Sequence, residues 1–510
     1  MKKDLLDDVA RIIADTFAQD NLEIQPTKLK VWVPDGSSMA QTWENRKVET
    51  LDCLGSHLRI AGEEQSSPIV LGEVPEPFAE PERRLQSITA NLVDLVNNGG
   101  LSKHVATSLL RSYVMSASQH VLRNNFATKQ QAAEFDRKVL DSFTQLLGKQ
   151  VDNSSPCHLP TNNGGVNITI AEDRCHIAIW TAWLSSLPAV MRVLAVRNID
   201  DFIDKCPNIG EQLSVVQKSV SDSTGLRTLG LQPLAISLRN IVPQKKLAER
   251  AHNLEFKNML EASTPPLRAV LRSAAAPSAA SFLDVPRDPT YLIPDDRFVT
   301  AFFRRLFAPW PGCAATPIVA LMCPNKTRQG VVCSAQLDQW GIHSTICQAG
   351  GGVVQRHDDV VRALAALIYK ITSCKISLEK RSHTLDRQVN GVTQEGQMDI
   401  IVADLRGAVT YIDVALVSPV VQDPARITAA ANRNAYAAKR MEAIKRARYP
   451  GVNLIPFVIE LGGRPGPSAR KLITDLFEHE TQDRESSIAQ AWTMLSCVLQ
   501  NSIARQIMVC

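Results

Sequence analysis

A chain of 510 residues is too long for one ordinary hydrophobic core, and at about 150 residues per domain it predicts roughly three folded units. With 45% hydrophobic and 21% charged residues the composition excludes a disordered protein, while a net charge of +4 is too small to indicate nucleic-acid binding unless the basic surface is local. No apolar run reaches the roughly 18 residues that cross a bilayer, and the acidic, amphipathic start is unlike a signal peptide, so we expect an intracellular protein without a membrane partner.

The first half of the chain has the pattern of a helical protein. Apolar residues recur at helical spacing over 4–20, 82–150 and 171–205, and a short apolar run at 31–33 predicts one strand. From 263 to 297 the sequence becomes rich in proline, alanine and serine, a composition that buries little apolar surface. We therefore predict a linker over residues 263–297.

A group of cysteines and histidines follows a predicted aromatic helix. Zinc takes four nitrogen or sulfur ligands in a tetrahedron, often as two close pairs, and His343 and Cys347 have the spacing of one pair. Cys333 is the third candidate. Either Cys323 or His357 has to complete the set, because the position three before Cys333 is a glycine. The alternative is a set of buried cysteines and surface histidines that bind no metal.

Two aspartates fall within a predicted β-hairpin at residues 397–418. A three-residue loop centred on Arg406 places Asp399 directly opposite Asp413 on one face of the hairpin. Carboxylates side by side in an apolar hairpin repel each other and resist burial unless a cation neutralises them. Mg²⁺ prefers carboxylate oxygens, so the hairpin predicts a magnesium site. The alternative, that both aspartates cap strand ends in solvent, is disfavoured by the apolar neighbours of Asp413.

The spacing of the cysteines and histidines resembles a zinc knuckle that precedes the nuclease in many non-LTR retrotransposon proteins. The matching positions are Cys333, Asp338, Gly341, His343, Cys347, Gly351, Gly352, Arg356 and His357. Gly330 departs from the pattern, which has a cysteine there. The resemblance implies a zinc-binding module beside an endonuclease domain.

The segment after the knuckle resembles the restriction-like endonuclease domain of the same proteins, which is of the PD-(D/E)xK type. Asp399 matches the first acid, Asp413 the second, and Lys445 and Tyr449 match the ends of a K-x-x-K-Y motif on the following helix. Endonucleases of this type carry a lysine two residues after the second acid, where this chain has Ala415. The resemblance implies that Lys445 supplies the missing ammonium group and that Tyr449 belongs to the site.

One further acid comes from the same resemblance. Glu379, in a short β-like run upstream of the hairpin, matches a recurring acid of the family and is expected to complete the metal shell. The alternative for Lys445 is that it is one of several basic residues between Arg433 and Arg448 on a solvated helix face.

Weaker resemblances to reverse transcriptase proteins extend through the front half of the chain. They include Gln25–Pro26, which resembles a segment after the catalytic strand of the palm, and Glu134–Asp136 and Leu159–Gly165, which resemble landmarks of the thumb and connection regions. The expected organisation, in chain order, is a palm remnant in 1–80, a helical thumb- and connection-like region in 81–262, the linker in 263–297, a helix with the knuckle in 298–372 and the restriction-like endonuclease domain in 373–510.

We thus expect a multidomain fold with a mostly α N-terminal half, a small Cys/His knuckle and a C-terminal α/β domain containing a mixed sheet. A polymerase would need paired aspartates on a palm hairpin, but Asp7–Asp8 and Asp200–Asp201 fall in predicted helices. The chain therefore resembles the C-terminal part of a retroelement protein and is not expected to be an active reverse transcriptase.

The favoured hypothesis is a Mg²⁺-dependent DNA endonuclease that nicks target DNA to prime reverse transcription. Its partners would be target DNA and element RNA, and it would spend part of its time in the nucleus. The first alternative is a catalytically inactive retroelement relic or nucleic-acid-binding scaffold, which Gly330 and the missing polymerase centre favour. The second is a helical adaptor unrelated to retroelements, which would require the match over 323–463 to be chance.

Overall fold

The computed structural model describes three short strands near the N-terminus and most of the chain from residue 76 onward. The described ranges are 51–53, 56–59, 70–71, 76–226, 244–308, 322–338, 341–381, 385–389, 392–394, 396–405, 407–480 and 483–509. The palm remnant predicted for 1–80, with its early helix and strand and the Asp7–Asp8 pair, otherwise lies outside the described residues.

Helices make up most of the described chain. They are α1 (Ala79–Asn98), α2 (Lys103–Asn124), α3 (Lys129–Leu147), α4 (Ser155–His158), α5 (Ala171–Val193), α6 (Ile199–Lys205), α7 (Pro207–Thr224), α8 (Gln244–Ala262), α9 (Pro265–Ala274), α10 (Asp295–Arg305), α11 (Ile342–Ile346), α12 (Gly352–Thr372), α13 (Pro424–Asn432), α14 (Tyr436–Arg448), α15 (Pro467–Leu476) and α16 (Arg484–Val509), with 3₁₀ turns at Thr161–Asn163, Pro277–Leu283 and Pro289–Tyr291. Within the described residues, no helix combines the length and the apolar character needed to span a membrane.

The described strands form two small antiparallel arrangements and one larger mixed sheet. They are β1 (Leu51–Cys53), β2 (Ser56–Arg59), β3 (Val70–Leu71), β4 (Ile376–Arg381), β5 (Arg387–Val389), β6 (Val392–Gln394), β7 (Gln397–Leu405), β8 (Ala408–Val417) and β9 (Leu454–Glu460). The mixed sheet has the order β4-β7-β8-β9, in which only β8 and β9 are parallel. The predicted helical front half and C-terminal mixed sheet are therefore confirmed at this coarse level.

The chain forms two compact units, and each is built from three segments. The first contains Met1–Arg83, Ser116–Asp136 and Ala171–Ala251, and the second contains Arg84–Met115, Arg137–Ile170 and His252–Cys510. This division differs from the five consecutive regions that the sequence predicted.

Helices α5, α6 and α7 supply the core of the first unit, where Trp180, Phe202 and Leu213 are buried together. Asp136 caps the start of α5, because its carboxylate accepts hydrogen bonds from the Ala171 and Glu172 amides. Burial nevertheless raises the pKa of Asp136 to about 6. Asp136, which lies in the segment that resembles a thumb landmark, therefore has a structural role in this chain.

The mixed sheet of the second unit is covered by helices on both faces. One face, which includes Ile400, Ile412 and Phe457, shares a buried cluster with residues of α12, α15 and α16. On the other face Val458 packs with Ala438 of α14. Apolar side chains such as Ile400, Ile412 and Phe457 are therefore shielded from solvent, and burying a charged group among them requires a partner.

The prediction of a linker over 263–297 is wrong, because this segment is largely folded and buried. It contains α9 and the turn Pro277–Leu283, and its buried residues include Leu271, Phe282 and Leu283. The prediction failed because it treated small residues as unable to pack.

The small alanines and serines of this segment instead allow two backbones to approach closely. A Cβ added to Gly462 would lie 2.6 Å from the Ser273 carbonyl carbon, and one added to Gly463 would lie 2.7 Å from the Cα of Ala279. The buried Arg305 guanidinium donates to the carbonyl oxygens of Ala274 and Ala279 at 3.3 and 3.4 Å. The stretch is thus a close-packed part of the second unit.

Candidate functional site

The β7–β8 hairpin has the predicted register. Ile400 pairs with Ile412 and Val402 with Thr410, so Asp399 and Asp413 are the next residues along the two strands. The turn differs from the three-residue loop expected, since Leu405 pairs directly with Ala408 and a bulge between 402 and 405 restores the register. The two aspartates therefore lie side by side in the middle of the sheet.

Both aspartates are held by groups of the second unit. The Oδ2 atom of Asp399 accepts a hydrogen bond from the Val414 amide at 2.6 Å. The Asp413 carboxylate forms an ion pair with the Lys445 ammonium group, which also donates to the Val414 carbonyl at 3.2 Å. The side chains of Asp399 and Asp413 retain 21% and 15% of their exposure, so this half-buried site remains open to water.

Lys445 reaches Asp413 because α14 is fixed against the sheet and against α15. Glu460, at the end of β9, accepts a hydrogen bond from the Ala438 amide in the first turn of α14. The buried Glu442 carboxylate accepts hydrogen bonds from the amide and hydroxyl of Ser468 at the start of α15. Lys445 is accordingly only 13% exposed, whereas Lys439 is on the exposed surface of the same helix.

The two aspartates differ in electrostatic environment. Burial raises the pKa of the Asp399 carboxyl, but hydrogen bonding and charge from His357, the Val414 amide and the Lys445 charge together hold it below its usual value. Burial raises the pKa of Asp413 and outweighs the opposing effect of Lys445, and the charge of Asp399 raises it further. A divalent cation between the two would favour the ionised form of both carboxyls.

His357 belongs to this site and not to the cysteine cluster. Its Nε2 lies 3.4 Å from Asp399 Oδ2 and its Nδ1 lies 3.1 Å from Asp358 Oδ1. The hydrogen bond to Asp399 is the main reason why the pKa of His357 is raised to about 9. Cys323 and His357 were the two candidates for the fourth zinc ligand, and the structure places His357 away from the other three ligands.

The remaining predicted residues occupy less central positions. Glu379 is on β4 between Leu378 and Lys380, which pair with the residues on either side of Asp399, but its side chain is exposed and its φ of +49° interrupts the strand. Among the described residues it forms no three-ligand cluster with the aspartates. Tyr449 is buried at the end of α14 in a cluster with Met398, the neighbour of Asp399.

Three cysteines and one histidine converge in a separate cluster, and its fourth member is Cys323. One ligand atom from each of Cys323, Cys333, His343 and Cys347 lies within 4.8 Å of the others. The Cys323 and Cys347 sulfurs are 3.7 Å apart, and the Cys333 sulfur is 3.5 Å from His343 Nε2. Two sulfurs bound tetrahedrally to one zinc ion lie about 3.8 Å apart, so the set could hold a metal such as zinc.

A short hairpin brings Cys323 into the cluster despite the glycine at position 330. Cys323 and Ser334 are joined by a backbone hydrogen bond of 3.2 Å, and Cys333 donates to the Asn325 carbonyl at 2.8 Å. Gly330 has a φ of +81° in the turn of this hairpin. Cys323, from the opposite arm of the hairpin, thus takes the place of a cysteine three residues before Cys333.

The second pair of ligands is positioned by a capped helical turn. The Asp338 carboxylate accepts hydrogen bonds from the Ile342 and His343 amides at 2.9 and 2.7 Å, which starts α11. Burial raises the pKa of Cys347 to about 11, whereas a backbone hydrogen bond from Ala335 is the main cause that lowers the pKa of Cys333. Burying a thiolate at Cys347 would require a positive partner, which a bound cation provides.

Arg356 connects the helix of the cysteine cluster to α16. This buried arginine donates to the Thr345 carbonyl in α11 at 2.9 Å and to Gln506 Oε1 in α16 at 2.6 Å. It directly precedes His357, so the same turn of α12 contacts both the cysteine cluster's helix and Asp399. Sequence reasoning had no access to this arrangement because it depends on how three distant segments pack.

Models of known protein families give no match to this chain, and a search of curated proteins gives none either.

Proposed function

We propose that Asp399, Asp413 and Lys445 form the centre of a metal-dependent DNA endonuclease. The observation that carries the proposal is the Asp413 carboxylate, which lies next to Asp399 on the paired strand and in contact with Lys445 from the neighbouring helix. A purely structural ion pair would need one acid, and the second acid makes an anionic site that suits a hard cation.

The residues present fit Mg²⁺, because the donors are two carboxylates in a half-buried but water-accessible position. Asp399 and Asp413 would hold the ion, which polarises a phosphate and lowers the pKa of water when bound. Lys445 would orient the attacking water and offset the charge that develops on the phosphate. Water attacks phosphorus, the bond to the 3′ oxygen breaks, and that oxygen takes a proton to become a 3′-hydroxyl opposite a 5′-phosphate.

Zinc at the Cys323, Cys333, His343 and Cys347 cluster is the second part of the proposal. Protein ligands would fill all four positions around the ion, which is typical of structural zinc and not of catalytic zinc. The ion would hold the hairpin and α11 together beside the nuclease site.

The biological role rests on the resemblance to non-LTR retrotransposon nucleases. In that role the nick would supply the 3′-hydroxyl that primes reverse transcription, with target DNA and element RNA as the partners. Placement in the nucleus is a further part of this proposal.

Nicking of a supercoiled plasmid by the full chain tests the activity. Wild-type protein should convert supercoiled DNA to open circles with Mg²⁺ and not with EDTA, and Asp413→Asn should lower the rate at least about 100-fold because it removes a ligand and the partner of Lys445. Equal nicking by wild type and Asp413→Asn would reject the proposed site.

A catalytically inactive nucleic-acid-binding relic is the second candidate. Its supporting observation is that Lys445 already neutralises Asp413 directly, so the site is stabilised without a metal, while Ala415 occupies the usual lysine position. A folded chain that binds DNA but does not nick it at any Mg²⁺ or Mn²⁺ concentration would favour this candidate.

A further inference from the structure

Helix α12 presents His357 to the hairpin in one defined orientation. Both ring nitrogens face carboxylates, with Nδ1 3.1 Å from Asp358 and Nε2 3.4 Å from Asp399. A ring with an acceptor at each nitrogen cannot turn without losing one of the two contacts. His357 therefore keeps its Nε2 directed at the Asp399 carboxylate.

Two nitrogen atoms approach the same oxygen of Asp399. Oδ2 accepts from the Val414 amide at 2.6 Å and faces His357 Nε2 at 3.4 Å. Carboxylates that bind metals are commonly held through hydrogen bonds from neighbouring groups, which set the orientation of the ligand. With Oδ2 occupied in this way, Oδ1 is the oxygen of Asp399 suited to bind a cation.

We propose that His357 is a positioning residue of the nuclease site, which acts with the Val414 amide to orient Asp399 for metal binding. This inference rests on the proposed function. It adds to the nuclease site a residue, His357, that the spacing of the cysteines had suggested as a zinc ligand. His357 would touch neither the metal nor the phosphate.

The preceding residue keeps His357 in place. Arg356 is 2% exposed and its guanidinium donates to both Thr345 and Gln506, which anchors the N-terminal part of α12. The 3.4 Å contact with Asp399 is thus held by a buried network. On the same helix Asp359 pairs with Arg505 of α16 and accepts from Ser502, away from the hairpin, which makes it a matched control.

Two measurements on the full chain test this inference. The first is the Mg²⁺ dependence of plasmid nicking. The second is Mn²⁺ binding by zinc-loaded protein in the absence of DNA, measured by electron paramagnetic resonance. His357→Ala should raise the half-saturating concentration of either metal about 10-fold or more, as loss of a ligand-orienting group does. His357→Gln keeps a side-chain N–H donor and should recover most of the metal affinity. Asp359→Asn should leave both midpoints unchanged, and DNA affinity without metal should be the same in all variants.

The outcomes separate this inference from the proposed function. If folded His357→Ala has the same half-saturating metal concentrations as the wild type, the positioning role is overturned, even if nicking is observed. If the wild-type chain binds Mn²⁺ but does not nick, the function fails while a weaker Mn²⁺ affinity in His357→Ala still supports the positioning role. Absence of Mn²⁺ binding in the wild type overturns both. If His357→Ala does not fold, Asp358→Asn, which removes the charge that orients the ring, should raise the midpoints a few-fold, and no change would overturn the inference.

Discussion

Lys445 and Asp413 form an ion pair in which both side chains are largely withdrawn from water, at 13% and 15% exposure. An ion pair on the surface would contribute little to stability. In a largely buried pair such as this one, removing one partner leaves the other charge without compensation. The pair has a second consequence for chemistry, because the ammonium group is already at the carboxylate before any substrate binds.

Replacement of Lys445 tests whether that ammonium group takes part in the reaction. Lys445→Ala should lower the nicking rate at least about 100-fold, because the group that orients water and stabilises phosphate charge is lost. Affinity for DNA should change only a few-fold, since one phosphate-scale contact among many is removed. Single-turnover nicking and a filter-binding titration measure the two effects.

Lys439 is the control on the same helix. It precedes Lys445 by six residues, so it projects roughly 120° away, and its side chain is exposed. Lys439→Ala should nick at the wild-type rate. If Lys439→Ala loses activity and Lys445→Ala does not, the catalytic assignment of Lys445 is wrong.

The raised pKa of His357 predicts a pH dependence of stability. Its pKa is about 9 in the folded chain, mainly through the hydrogen bond to Asp399, against an ordinary value of 6.5. The folded state therefore binds the extra proton more tightly, so the stabilisation is complete below pH 6.5 and is lost as the pH rises to about 9. Urea unfolding of the metal-free chain at pH 6 and pH 9 should show a smaller difference in His357→Gln, and an identical difference would contradict the prediction.

At the scale of elements, the hairpin was predictable and its turn was not. The pairing of Asp399 with Asp413 was predicted from a three-residue loop centred on Arg406. The pairing holds because the bulge between 402 and 405 offsets the shorter turn between Leu405 and Ala408. The turn depends on a bulge between 402 and 405 that leaves no distinct pattern in the sequence. The register was therefore correct although the loop length was not.

The fourth member of the cysteine cluster, in contrast to the register of the hairpin, could not be predicted from the sequence. Spacing along the chain could not choose between Cys323 and His357, because the choice depends on the short hairpin that pairs Cys323 with Ser334. The same limit applies to the predicted linker, where small residues pack against Gly462 and Gly463 from a distant segment. Both outcomes follow from tertiary contacts that no local pattern contains.

Loss of one cysteine should show whether the cluster holds structural zinc. Purified wild-type chain should contain about one zinc ion, and Cys347→Ser should lose it and melt roughly 5 °C lower or more, since structural zinc contributes to folding free energy. Elemental analysis and thermal unfolding measure both quantities. Cys374, which is half-buried and outside the cluster, supplies the control, and Cys374→Ser should keep the metal. Equal metal content in Cys347→Ser and wild type would exclude the cluster as the zinc site.

At the scale of the whole molecule, the candidate site at Asp399, Asp413 and Lys445 and the cysteine cluster both lie in the second unit. That unit draws on three separate segments of the chain, so it includes residues well upstream of the hairpin. For example, the buried Arg305 donates to carbonyl oxygens of both Gly165 and Ala274. Experiments on the candidate site therefore call for the full chain.

The most direct measurement of the central claim is the chemistry of the DNA ends produced by the full chain. End-labelled duplex DNA incubated with Mg²⁺ should carry nicks with a 3′-hydroxyl, which a DNA polymerase extends, and a 5′-phosphate. The variant with both Asp399→Asn and Asp413→Asn should give no such ends, because the carboxylates that would hold the metal are gone. If the wild-type chain gives no Mg²⁺-dependent nick, or the double variant gives the same extendable ends at the same rate, these residues are not a nuclease centre.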